Sequence, residues 1–207
     1  MYKLVRTGEY ETLRSRIPSW LFDSFNYFRK MGNSACKDLF DRDDRTGDTI
    51  FHELAKIGGL IVLNRIQERT PGPFVDLLRI KNHEGELCTH VVANYHNGLR
   101  AILLIDVLVL LGADLNGRNF CAGETVLHRS VHNGDAPLAK WLCEQPQINL
   151  NARNNNGLTA YQIANERNDG DLKEILRKAE ENCEEPQGTS SDESDESDGS
   201  DESNEEW

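Results

Sequence analysis

The chain has 207 residues, with 35 Asp and Glu against 23 Lys and Arg, a formal net charge of −12 and 38% hydrophobic residues. That length suits one domain plus a tail, and the acidity counts against nucleic acid and anionic membrane surfaces as direct partners. Five scattered cysteines (Cys36, Cys88, Cys121, Cys143, Cys183) suggest a reducing compartment rather than a disulfide framework. The opening Met1-Tyr2-Lys3-Leu4-Val5-Arg6 lacks the apolar core of a signal peptide. The most apolar run, 101–111, contains Asp106 and is far shorter than the roughly 20 residues of a membrane span. A soluble, intracellular protein is the expectation.

Residues 1–43 carry Leu13, Ile17, Trp20, Leu21, Phe25 and Phe28 at helical spacing, interrupted at Pro18. A stack of repeats must cover the apolar face of its first unit, so an N-terminal helical cap is expected here. A partner-binding helix is the other reading.

From residue 44 the chain repeats itself. Gly47-Asp48-Thr49-Ile50-Phe51-His52, Gly85-Glu86-Leu87-Cys88-Thr89-His90 and Gly123-Glu124-Thr125-Val126-Leu127-His128 place their histidines 38 residues apart. A fourth copy, Gly157-Leu158-Thr159-Ala160-Tyr161-Gln162, starts 34 residues after the third. Thr49, Thr125 and Thr159 can cap a helix start with their hydroxyls, whereas Leu87 cannot. Gly112, followed by Asp114 and Asn116, reads as a helix end and a turn.

Four units are expected, over 44–82, 83–119, 120–154 and 155–179. Their helix pairs should be 50–56 with 60–68, 88–95 with 100–111, 126–132 with 136–144, and 160–167 with 172–179. The 38-residue period implies extra residues in the first units, around Thr70-Pro71-Gly72-Pro73, and 74–78 reads as a short helix or irregular segment. No single pair can bury its apolar stripe alone, so neighbouring units must supply the core.

Past residue 180 the composition changes. Residues 180–207 hold 13 of the Asp and Glu and no Lys or Arg, which leaves the body close to neutral. The acids Asp192, Glu193, Asp195, Glu196, Asp198, Asp201 and Glu202 alternate with serines. Such a segment cannot bury enough to offset its ordering entropy, so a disordered acidic tail is expected, either solubilising or a substrate for acidophilic kinases.

The sequence contains no G-x-S-x-G, phosphate loop, H-E-x-x-H or dinucleotide fingerprint. Cys88 with His90, and His128 with His132, could each form half a metal site, but no second half has ligand spacing. His52, His90 and His128 share one repeat position, which favours a structural bond to neighbouring backbone. The expectation is a binding protein without catalytic residues, cofactor or metal.

The phased Gly-x-Thr-x-x-His copies resemble the ankyrin family's G-x-T-P-L-H-x-A pattern, with Ile50, Cys88, Val126 and Ala160 at its proline position. That resemblance implies an all-α solenoid of about four helix-turn-helix units whose inter-unit turns project as fingers. With the first helices the fingers form a concave face for a protein partner. On that basis Arg118, Asn119, Phe120, Arg153, Asn154 and Asn155 are candidate partner-binding residues, with Arg118, Phe120, Arg153 and Asn154 expected to face outward.

Degenerate repeats followed by an acidic Ser-rich tail are similar to the inhibitor-of-NF-κB (IκB) group. In that group the ankyrin stack holds Rel homology domains and the acidic segment lies against their DNA-contacting surface. IκB proteins usually have more repeats and carry Asp-Ser-Gly-x-x-Ser, phosphorylated to trigger destruction; this sequence has only Asp23-Ser24-Phe25. The combination resembles the truncated IκB-like ankyrin proteins (vankyrins) of polydnaviruses of parasitoid wasps. It implies a monomeric inhibitor that binds Rel/NF-κB transcription factors, resists signal-induced release and suppresses host insect immunity, in the cytoplasm or nucleus of the host cell. A general ankyrin adaptor or scaffold is the alternative.

Overall fold

The structure, a computed structural model, describes residues 42–69 and 74–184. The expected N-terminal cap before residue 42, the 70–73 insertion and the tail beyond 184 lie outside the described residues.

The described chain is helical throughout. In order it forms α1 (Ile50–Ile57), α2 (Leu60–Arg69), α3 (Val75–Leu78), α4 (Cys88–Tyr95), α5 (Gly98–Leu110), α6 (Val126–His132), α7 (Ala136–Cys143), α8 (Ala160–Glu166) and α9 (Gly170–Glu184). Each expected pair is present. The first helices stack as one layer, α1 on α4 on α6 on α8; the second helices stack as another, α2 on α5 on α7 on α9. One continuous core runs between the layers, from Phe51 through Leu104, Leu108, Leu127 and Leu142 to Leu172. This is an ankyrin-repeat solenoid. Among the described residues no helix is long and apolar enough to cross a membrane.

Local chemistry sets the helix limits. α1 ends because Gly58 adopts φ 69°, letting the Gly59 N–H turn back to the Leu54 carbonyl at 2.8 Å. α7 starts at Asp135, whose Oδ1 accepts from Leu138 N at 3.1 Å while Oδ2 accepts from Gly98 N at 2.8 Å, joining units two and three. The segment leading into the short α3 is tied to its neighbours at Phe74. The Phe74 N–H donates to the Leu111 carbonyl at 2.7 Å, and its ring lies 5.7 Å from that of Phe51.

The final helix departs from expectation. It was expected to stop at Ala179 and instead runs to Glu184. Arg177 pairs with Glu174 and Glu181, and Lys178 pairs with Glu174, at i,i+3 and i,i+4 spacing. Such pairs support an exposed helix.

Candidate partner-binding surface

Each finger is a tight turn closed by one acidic or amide residue. The backbone N–H of Asp43, Asn82, Asn119 and Asn154 donates to the carbonyl of Asp48, Glu86, Glu124 and Leu158 at 2.8–2.9 Å. Their side-chain oxygens turn inward. Asn119 Oδ1 accepts from Ala122 N and Glu124 N at 3.1 and 3.0 Å, and Asn154 Oδ1 accepts from Asn156 N and Leu158 N, both at 3.0 Å. The expectation that Asn154 faces outward, and the candidacy of Asn119 as a contact residue, are therefore corrected. Both are buried, 7% and 3% exposed, because their amides serve turn N–H groups that would otherwise lack partners.

Backbone bonds join finger to finger. The N–H groups of His83, Phe120 and Asn155 donate to the carbonyls of Thr46, Gly85 and Ala122 at 2.8, 2.9 and 2.8 Å. The finger backbones approach closely only because a glycine faces each contact. A Cβ on Gly85, at φ 77°, would lie 2.5 Å from Phe120 Cβ, and one on Gly123, at φ 64°, would lie 2.2 Å from Asn155 Oδ1.

The tips hold the remaining candidates. Phe120 is 70% exposed, and Arg118, Arg153 and Asn155 are exposed as well. Arg118 Nε donates to the Gly123 carbonyl at 2.7 Å and its Nη2 to Asn155 Oδ1 at 3.3 Å; Arg153 Nη1 donates to the Gly157 carbonyl at 2.7 Å. Two further cations belong to the same row. Arg42 Nε donates to the Gly47 carbonyl at 3.0 Å, and Lys81 Nζ sits 3.8 Å above the centre of the Phe120 ring. The signal for them was in the sequence: Arg42, Lys81, Arg118 and Arg153 each directly precede the Asp or Asn that closes a finger.

The repeat histidines are structural. The Thr49 N–H donates to His52 Nδ1 at 3.2 Å and the Thr49 hydroxyl lies 2.8 Å from it, so the proton resides on Nε2, which reaches the Glu86 carbonyl of the next unit at 3.0 Å. His128 repeats this with Thr125 and the Leu158 carbonyl, and His90 Nε2 meets the Glu124 carbonyl at 2.8 Å. Leu87 offers His90 no hydroxyl, and Nδ1 of that ring is buried without a partner. Burial pushes His52 and His90 down to about 4, and lowers His128 as well. In the fourth unit Gln162 takes the position, its Oε1 accepting from Thr159 N at 2.9 Å.

These bonds engage the histidines that were candidates for half a metal site. The Cys88 thiol is buried, and that burial pushes it up to about 12. Among the described residues no three His, Cys, Asp or Glu converge as metal ligands.

Along the first helices lies a second row. Asp48, Glu86 and Glu124, one per unit, are buried next to the finger base. Each meets the residue eight positions later. Lys56 pairs with Asp48, Asn94 Nδ2 donates to Glu86 at 2.9 and 3.0 Å, and His132 Nε2 lies 2.9 Å from Glu124 Oε1. Arg129 bridges units, 3.4 Å from Glu86 and 3.6 Å from Glu124. Burial alone would raise the Asp48 carboxyl, but hydrogen bonds from Lys56, Thr46 and Asn82 outweigh it and hold it below its ordinary value. The surface is thus prearranged before any partner arrives.

The ankyrin-repeats (many copies) family profile matches residues 108–164. The chain is 40% identical over 151 residues to I-Kappa-B like protein G1 of Microplitis demolitor bracovirus (isolate Webb), covering 72% of this chain and 83% of that one. With I-Kappa-B like protein N1 of the same virus it shares 41% identity over 108 residues, 52% of this chain and 78% of that one. Among solved structures, the ankyrin repeat domain of Bcl-3, a member of the IκB protein family, superposes with a TM-score of 0.58 at 22% identity, over 65% of this chain and 57% of that one.

Proposed function

The chain belongs to the I-kappa-B-like ankyrin-repeat protein family of the bracoviruses, and from that premise we propose that it inhibits Rel/NF-κB transcription factors by stoichiometric binding. The finger tips carrying Arg118, Phe120, Arg153 and Asn155, with the adjoining first helices, grip the Rel homology domain. The tail acids Asp192, Glu193, Asp195, Glu196, Asp198, Asp201 and Glu202 oppose the cationic surface with which that domain contacts DNA, since a surface that neutralises phosphates also attracts a polyanion. The block acts in the cytoplasm of the host cell and extends to the nucleus.

The observation that carries this reading is the 40% identity over 151 residues to an I-kappa-B-like viral protein. Two features support it. An aromatic ring under a cation and two arginines stand exposed on neighbouring fingers, residue types that dominate interface energetics. The sequence also contains no Asp-Ser-Gly-x-x-Ser, the motif through which IκB proteins are marked for destruction, so the complex should persist after an activating signal.

The test is competition. Purified protein is added to a preformed complex of an insect Rel homology domain with its DNA site, followed by gel mobility. Release of DNA near equimolar ratio is expected. DNA complexes that survive saturating protein, with no binding to the free Rel domain, would reject the reading and leave a general adaptor role in its place.

A further inference from the structure

The finger cations form one connected row. Arg42 Nη2 donates to the Lys81 carbonyl at 2.6 Å, Arg118 depresses the Lys81 ammonium through its charge after the larger effect of burial, and Arg118 Nη2 reaches Asn155, two residues from Arg153. None of the four pairs with a carboxylate among the described residues, although Lys56, Arg129, Arg177 and Lys178 all do. Three of the guanidinium groups are held by the carbonyl of their own finger's glycine, Gly47, Gly123 or Gly157. Much of the entropy cost of ordering them has already been met, and each keeps N–H groups free.

The same chain carries an anion of matching period. From Ser191 to Ser203 the acids recur in three-residue steps, Ser-Asp-Glu, Ser-Asp-Glu, Ser-Asp-Gly, Ser-Asp-Glu. An extended chain advances about 9–10 Å in three residues. Stacked helices are separated by about 8–10 Å, so the fingers recur at nearly that interval. In chain order the second helix of unit three, α7, precedes the next finger, and α9 packs on α7 as its counterpart in unit four. Residues 185–191 supply about 23 Å of tether at full extension between Glu184 and the first triplet.

We propose that residues 191–203 of this chain lie along its own finger row, running from Arg153 back toward Arg42, with one acidic triplet at each cation. The contact is intramolecular and weak, and the millimolar effective concentration of a short tether suffices to populate it. It does not depend on the Rel reading and holds for any partner that uses the fingers.

The experiment uses the full chain labelled with ¹⁵N, compared with a full-length variant whose seven acids between 192 and 202 are changed to their amides. Amide shifts of Gly47, Gly85, Gly123 and Gly157 should differ between the two at low salt, independently of protein concentration, and converge at about 0.5 M salt as screening removes the contact. Arg118→Gln with Arg153→Gln should abolish the difference at the third and fourth fingers, whereas Arg118→Lys with Arg153→Lys should retain it. Finger shifts identical in the native and amide-tail chains, or differences confined to surfaces other than the fingers, would overturn the proposal. The native against amide-tail comparison leaves every finger residue intact, so it decides the matter even if the arginine variants fold poorly.

Discussion

Acid should loosen the stack through His52 and His90. Each sits near the ordinary value of 6.5 in an unfolded chain and at about 4 in the fold. On acidification the unfolded chain therefore takes up the proton first, and stability is complete above about pH 6.5 and lost as pH falls toward 4. Between pH 7 and pH 5 each ring loses about 2 kcal/mol, from 1.36 kcal/mol per pKa unit over roughly 1.5 units. Together they remove about 4 kcal/mol, a large share of the 5–15 kcal/mol that holds a domain together. His128 acts in the same direction, while Glu53, whose carboxyl burial raises, acts in the opposite one. Urea denaturation followed by far-UV circular dichroism at the two pH values measures the loss. The control is the double variant His52→Gln, His90→Gln, which installs the residue the fourth unit already uses at this position. It should be less stable at pH 7 yet lose under about 2 kcal/mol on acidification. An equal pH dependence in the native and double-variant chains would refute the assignment.

Other outcomes follow from the same geometry. Thr125→Val keeps the shape but removes the hydroxyl beside His128 Nδ1, leaving that nitrogen only the longer bond from the residue 125 backbone N–H, and should cost about 1–2 kcal/mol in the same denaturation assay. Gly85→Ala and Gly123→Ala should cost more than Gly157→Ala, because all three force an unfavourable backbone but only the first two drive a methyl group into the next finger; similar losses at all three would discredit the close-approach argument. Arg129→Met leaves Glu86 and Glu124 buried without their shared cation and should lower stability by about 1–3 kcal/mol, measurable by thermal melting. Phe120→Ala, at a side chain mostly in water, should leave the melting temperature within about 2 °C of native while weakening partner capture.

The helix pairs were legible because their signals are local. A glycine, a capping threonine and a histidine three residues later specify a helix start by themselves, and phasing the copies specifies the stack. The hydrogen bond each histidine makes was legible only in kind: the shared position pointed to backbone, but not to the carbonyl of the following unit. Asn119 and Asn154 do not declare their roles because a turn asparagine reads the same whether its amide serves the turn or faces solvent. The distinguishing clue was Asp43 and Asn82, which stand four and three residues before a finger glycine just as Asn119 and Asn154 do. The row of finger cations went unnoticed for a related reason. Each arginine or lysine is unremarkable alone, and only the folded chain shows Arg42 touching the finger of Lys81 and Arg118 touching that of Arg153.

The three repeat-position histidines reach forward, from His52 to Glu86, from His90 to Glu124 and from His128 to Leu158. The array therefore has a polarity in how it frays. Melting the fourth unit strips His128 of its acceptor and strands a buried N–H in the third, so damage at that end propagates inward. Melting the first unit takes away a donor, and the Glu86 carbonyl it leaves behind retains its bond to the Asn82 N–H. Hydrogen exchange should accordingly report opening that spreads from the fourth unit toward the first, one ring at a time.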